Sequence, residues 1–277
     1  MRVRSLLFVP GDRPDRMVKA LGSGADALIL DLEDSVAAVN KAQARSAVVD
    51  FLRGQRLIPL FVRINPLGGS YINDDLAALR EVHADAIVLP KAEGAASIHA
   101  LSHWTGLPIL PIATETPAAI FALGSYAEVR DRLFGLTWGA EDLPAAIGAT
   151  AAREPDGRYT APLETVRSLA LFAAHAAGVA AIETVYPDFR DLEGLAAYAA
   201  RGARDGFSGM MAIHPDQVAV INRAFTPSEA DVEAASRIVN AFAANPGAGV
   251  LAVEGRMVDA PHLLQARRIL ERAGQSE

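Results

Sequence analysis

Ser5-Leu6-Leu7-Phe8-Val9-Pro10-Gly11-Asp12-Arg13-Pro14-Asp15-Arg16-Met17-Val18-Lys19 sets the pattern from which the fold is read. An apolar run stops in a Pro-Gly and polar cluster, and an amphipathic segment follows. The same succession recurs, giving eight runs at residues 5–10, 27–32, 59–64, 86–89, 108–113, 133–138, 180–185 and 207–213. Most begin roughly 22 to 32 residues apart, the length of one strand–helix unit, and the sixth gap is longer. Near-continuous apolar strands suit a parallel sheet buried on both faces. Eight such units point to an α/β fold of the closed (β/α)8 TIM barrel type. An open doubly wound sheet is the alternative, but no G-x-G-x-x-G follows a strand to support it.

The chain changes character after about Phe225. Thr226-Pro227-Ser228-Glu229 reads as a capping box with proline at the first helical position. Val232, Ala235, Val239 and Phe242 then share one helical face, and Asn245-Pro246-Gly247 ends the helix. A strand-like run at 250–253 leads into Glu254-Gly255-Arg256-Met257-Val258-Asp259-Ala260-Pro261, and a last helix covers about 262–273. Residues 1–225 are therefore read as the barrel and 226–277 as a small C-terminal helical flap. The flap is too small to fold alone and is expected to dock on the barrel or on a neighbouring subunit.

Composition narrows the function classes. Of 277 residues 51% are hydrophobic, enough for a large core, yet no apolar run approaches the ~20 residues that span a bilayer. The apolar stretch near the N-terminus is too short for a signal peptide and runs into charge, so a cytoplasmic location is expected. With no cysteine, thiol nucleophiles, zinc–thiolate sites and disulfides are excluded. A net charge of −7 argues against a nucleic-acid partner, while leaving room for a small anion on a local basic patch.

In a TIM barrel the chemistry gathers at the C-terminal strand ends. Here those ends carry many carboxylates and a few cations. Glu115 and Asp142 close the fifth and sixth runs, with no histidine or cysteine beside them. Two converging carboxylates make a hard oxygen site of the kind Mg²⁺ uses, although each precedes a proline and could instead cap a helix. Arg63 ends the third run inside apolar sequence, and a buried guanidinium needs anionic partners. Those could be a substrate carboxylate or enolate, or the neighbouring Glu33 and Asp34. Glu33 and Asp34 could in turn hold the water ligands of a metal. Lys91, ending the fourth run, could form a Schiff base, but a salt bridge to nearby acids is favoured. Arg13, Arg16 and Lys19 form a basic patch suited to coenzyme phosphates or simply a solvated helix face. His214 is read as structural.

Taken in order, these strand ends resemble the citrate lyase β-subunit-like family, also called the HpcH/HpaI aldolase/citrate lyase group. The matching stretches are Arg4-Ser5-Leu6-Leu7-Phe8-Val9-Pro10-Gly11, Leu30-Asp31-Leu32-Glu33-Asp34-Ser35-Val36, Val62-Arg63-Ile64-Asn65, Leu89-Pro90-Lys91, Ala113-Thr114-Glu115-Thr116-Pro117, Gly139-Ala140-Glu141-Asp142-Leu143 and Gly255-Arg256-Met257-Val258-Asp259-Ala260-Pro261. The resemblance implies Mg²⁺ held by Glu115 and Asp142, with Arg63 on the keto-acid part or the enolate oxygen. It implies coenzyme A or an acyl carrier near Arg13, Arg16 and Lys19, and Asp259 as acid/base on the acyl methyl carbon. In malyl-CoA and citramalyl-CoA lyases that aspartate comes from a neighbouring subunit's C-terminal flap, often in trimers. The implied activity is Mg²⁺-dependent carbon–carbon cleavage of a citramalyl-CoA or malyl-CoA type thioester to acetyl-CoA and a 2-keto acid. A citrate lyase β subunit, a CoA-independent pyruvate aldolase and a non-catalytic binding member are the alternatives. The segment after Gly11, Asp-Arg-Pro-Asp-Arg, differs from the Ser/Asn-containing turn of dedicated citrate lyase β subunits and tilts the reading toward a free-standing CoA-ester lyase.

Overall fold

A computed structural model describes residues 2–54 and 57–275. Eight short strands form one sheet: β1 (Ser5–Pro10), β2 (Ala27–Asp31), β3 (Leu60–Arg63), β4 (Ala86–Leu89), β5 (Ile109–Pro111), β6 (Gly135–Thr137), β7 (Ala180–Glu183) and β8 (Gly209–Ala212). Their order is β5-β4-β3-β2-β1-β8-β7-β6, and every ladder within it is parallel. The two ends of that order meet through isolated bridges at Ile109–Leu133 and Ile112–Thr137. With helices between successive strands, this is a (β/α)8 barrel, as the eightfold repeat predicts.

Strand alternation decides what the barrel encloses. Successive side chains point to opposite faces, and Leu6, Ile29, Phe61, Val88, Leu110 and Ile182 pack together as the buried interior. Burying each is worth roughly 1.5–3 kcal/mol before entropy is counted. The same parity carries Asp31 inward after Ile29 and Arg63 inward after Phe61. The register of β2 on β3 sets the two opposite each other. On β7 it separates two polar neighbours. Thr184 follows Ile182 toward the barrel mouth, while Glu183 turns to the outer face. There its carboxylate is wholly buried and accepts from Trp138 Nε1 at 2.5 Å, Arg167 Nε at 2.8 Å and Tyr198 Oη at 2.9 Å.

The chain divides into two compact units, Met1–Asn222 and Arg223–Glu277. In the second, helices Glu229–Ala244 and Ala260–Arg272 pack through Ala235, Val239, Ala266 and Leu270. Between them β9 (Val250–Val253) and β10 (Arg256–Asp259) pair antiparallel about a turn in which Glu254 and Gly255 both have positive φ, 51° and 76°. The first of these helices is capped one box later than the sequence reading has it. Ser228, not Thr226, is the N-cap; its hydroxyl accepts the Asp231 N–H at 3.2 Å, and Asp231 accepts the Ser228 N–H at 3.1 Å. Ser228-x-x-Asp231 meets the same spacing rule and leaves Pro227 outside the helix. Among the described residues no helix is long and apolar enough to cross a membrane.

Candidate active site

The C-terminal ends of the strands open into a pocket of about 290 Å³. Phe8, Ile112, Val185 and Met211 give it apolar walls, and Asp31, Asp34, Arg63, Glu115 and Asp142 supply charge. The first unit thus gathers five of the predicted positions around one mouth, since Glu33 joins them through Arg63 and Lys91.

Arg63 is the hub on one side. Its Nε and Nη2 each lie 2.6 Å from an oxygen of Asp31, a two-pronged pairing that fixes the plane of the guanidinium. Its Nη1 lies 2.9 Å from Glu33 Oε2 and 3.8 Å from Asp34 Oδ2, and the group stacks 4.8 Å from the Phe8 ring centroid. Sequence reasoning offered Glu33 or Asp34, or a substrate anion, as partners of Arg63 and missed Asp31, its closest partner. Asp31 is only 1% exposed and also accepts the backbone N–H groups of Glu33 and Ser35, so it shapes the loop as well. Burial alone would raise its pKa, but the hydrogen bonds and charge of Arg63 hold it below the usual carboxylate range. A second residue was also missed. Buried Lys41 donates to the carbonyls of Leu32 and Glu33, each at 2.7 Å, and to Asn65 Oδ1 at 2.9 Å, bracing that loop from behind.

Glu115 and Asp142 form the other side. Glu115 is buried, and the backbone N–H of Lys91 donates to its Oε2 at 2.5 Å. Lys91 reaches this position in a left-handed backbone conformation, φ 51°, unusual for a residue with a side chain. Its ammonium sits 3.0 Å from Glu33 Oε1 and 3.2 Å from Asp142 Oδ1. These ion pairs engage the amine and raise its pKa despite burial, which disfavours the free amine that a Schiff base needs. Burial, and then the charges of Asp142 and Glu33, push the Glu115 carboxyl up to about 8. Burial likewise raises Glu33, with the nearby Asp34 charge adding to it.

These carboxylates outnumber Arg63 and Lys91 around the pocket. A cation between Glu115 and Asp142 would offset that excess. Gly139 leaves room for the Glu115 side chain: a Cβ there would lie 2.7 Å from Glu115 Cγ and 3.3 Å from its Oε1. Among the described residues no group of three or more Asp, Glu, His or Cys side chains is placed to cage an ion. A pair of carboxylates fits Mg²⁺, which takes one or two and leaves its other positions to water and substrate oxygens.

Arg13, Arg16 and Lys19 lie on and just before the short helix Pro14–Ala20, exposed, and are not among the pocket's lining residues. His214 stacks on Phe189, with ring centroids 5.0 Å apart. Asp259 belongs to the second unit, where it ends β10 and caps the helix Ala260–Arg272. Its Oδ1 lies 2.5 Å from His262 Nδ1, and that hydrogen bond, with the charge of the imidazole, lowers its pKa. His262 escaped sequence reasoning, although an Asp three residues before a His at a helix start is a recognisable reciprocal cap.

Residues 4–215 match the HpcH/HpaI aldolase/citrate lyase family. The chain belongs to that family. It is 39% identical over 271 residues to a citrate lyase subunit beta-like protein of Mycobacterium tuberculosis, covering 98% of this chain and 95% of that one. It is 35% identical over 278 residues to a (3S)-malyl-CoA thioesterase of Cereibacter sphaeroides, covering 98% and 94%. The crystal structure of CitE from Mycobacterium tuberculosis in complex with magnesium, acetoacetate and coenzyme A superposes with a TM-score of 0.87 at 37% identity, over 99% of this chain and 98% of that one. The family is one of lyases and enzymes that process CoA esters, and its members here align over the whole barrel and the tail.

Proposed function

We propose that the protein is a Mg²⁺-dependent carbon–carbon lyase that cleaves a 3-hydroxyacyl-CoA of the citramalyl or malyl type to acetyl-CoA and pyruvate or glyoxylate. The observation that carries the reading is the convergence of Glu115 and Asp142 beside Arg63 in a pocket rich in negative charge. The magnesium, keto acid and coenzyme A bound together by the CitE neighbour support it.

Glu115 and Asp142 would hold the ion, and Glu33 and Asp34 would orient its water. When bound, the ion supplies Lewis-acid polarisation of the substrate's hydroxyl and carboxylate oxygens. Arg63, fixed by Asp31, presents a rigid positive edge to the keto-acid half and offsets charge as the bond breaks. As the hydroxyl gives up its proton to solvent and becomes the keto acid's carbonyl, the electron pair of the broken carbon–carbon bond would pass into the thioester as an enolate. Asp259, which the family resemblance implies comes from a neighbouring copy's flap, would take up a proton from His262 and deliver it to the enolate carbon, giving the acetyl methyl group. The apolar wall of Phe8, Ile112, Val185 and Met211 excludes water from the carbanion. Arg13, Arg16 and Lys19 would meet the coenzyme's phosphates. The remaining partners follow from the family likeness: small-molecule ligands, and further copies of the chain in a homo-oligomer, expected as a trimer.

The test is to incubate purified protein with (S)-citramalyl-CoA and with L-malyl-CoA, in Mg²⁺ and in EDTA, following acetyl-CoA and keto-acid release. Mg²⁺-dependent release of both products establishes the lyase. Release of free CoA and an intact hydroxy acid makes the chain a thioesterase like its Cereibacter relative. No turnover of either ester sends the reading to a carrier-dependent subunit or a binding protein.

A further inference from the structure

The barrel's hydrogen-bond ladders are regular at every boundary but that between β5 and β6, among the described residues, and these two strands lead into Glu115 and Asp142. The cause is legible in the backbone. Ile109 O accepts from Phe134 N at 2.8 Å and Ala113 N donates to Thr137 O at 2.9 Å, so alternate residues 109, 111 and 113 face β6. Residue 111 is proline and has no N–H to give. Between the bridges Ile109–Leu133 and Ile112–Thr137, the chain advances three residues on one side and four on the other, so one residue of β6 falls out of register.

Just beyond the point where the ladder resumes, a side chain adds a further link. Thr114 Oγ1 accepts the Gly139 N–H at 3.0 Å and donates to the Gly139 carbonyl at 3.2 Å. Thr114 is fully buried, so water offers no substitute partner. At this close approach of the two strand ends, a Cβ on residue 139 would lie 2.7 Å from Glu115 Cγ, so a side chain there would have to displace Glu115. Thr114 immediately precedes Glu115, and Gly139 stands three residues before Asp142.

We propose that Thr114 is a positioning residue for the cation: its hydroxyl sets the spacing of Glu115 and Asp142 across the poorly laddered β5–β6 boundary. This rests on reading those two carboxylates as the metal ligands. Mg²⁺ is sensitive to such spacing, because it demands near-octahedral geometry with oxygens about 2.0–2.1 Å away.

The experiment is a calorimetric Mg²⁺ titration of the full-length protein without substrate, with folding followed by circular dichroism. Thr114→Val keeps the shape and removes both hydroxyl bonds to Gly139; its Mg²⁺ affinity is expected to fall about tenfold or more, the usual cost of losing a group that orients metal ligands. Thr114→Ser restores the hydroxyl and is expected to retain the parent affinity. Should the valine variant fail to fold, Thr114→Ala, which introduces no new methyl against Gly139, is expected to show the same loss. A folded valine or alanine variant with parent affinity, or a serine variant as weak as the valine one, overturns the assignment while the metal reading stands. A parent that takes up no Mg²⁺ overturns the metal reading, and this assignment with it.

Discussion

Replacing Asp31 by asparagine isolates what holds Arg63 in place. In the parent, Asp31 accepts four hydrogen bonds: two from Arg63 at 2.6 Å, one from Glu33 N at 2.9 Å and one from Ser35 N at 3.1 Å. Asparagine offers one oxygen, and whichever way it turns, its amide NH₂ faces one Arg63 N–H and one backbone N–H, donor against donor. Arg63 keeps Glu33, but loses its closest and most buried counter-charge. Breaking one side of a buried pair costs about 3–5 kcal/mol. For a unit of this size that is a fall in Tm on the order of 10 °C. The folded-state pKa of Asp31 lies below its ordinary value of 3.8, so the stabilisation is fully present above that value and is lost as pH falls through the folded value. Parent and variant are therefore expected to differ at neutral pH and to converge in acid. Thermal unfolding by calorimetry at pH 7 and across the acid range reads both effects. A variant that melts with the parent at pH 7 would refute Asp31 as the anchor of Arg63.

Three further outcomes are expected. Because the Glu115 carboxyl is pushed up to about 8 in the metal-free site and must be ionised to bind a cation, Mg²⁺ affinity is expected to fall about tenfold for each unit of pH below that value; Glu115→Gln should weaken binding and flatten the dependence, and an equally steep profile in that variant would assign the proton elsewhere. Gly139→Ala puts a Cβ 2.7 Å from Glu115 Cγ, so a folded variant should bind Mg²⁺ weakly by calorimetry, and unchanged affinity would show that the carboxylate has another seat. Asp259→Asn is expected to leave keto-acid and Mg²⁺ binding intact while cutting turnover about a hundredfold or more, the usual scale of general acid–base catalysis, and full activity would remove Asp259 from the chemistry.

The barrel was legible because apolar runs at regular spacing are what a buried parallel sheet requires, and all eight strands fall inside those runs. The carboxylates were legible as a set because a barrel's strand ends share one rim. Who pairs with whom was not. Asp31 could have been found by parity and register, since it lies two residues after the interior Ile29 and opposite Arg63 on the next strand. Lys41 could not, because its amine closes on oxygens from two other segments that only the folded chain brings together. Nor does sequence announce that Lys91 turns left-handed, or that Ser228 outcompetes Thr226 for the same helix end. Both are choices among local options that the surrounding packing makes.

The lapse at Pro111 also bears on motion. A ring held by regular ladders at seven boundaries and interrupted at the eighth has a preferred place to breathe, and amide hydrogen exchange should begin there. The opening would part the two strand ends that carry Glu115 and Asp142. An ion held between them would then act as a clasp, slowing exchange along this boundary while leaving the opposite wall of the barrel, around β1 and β2, as it was.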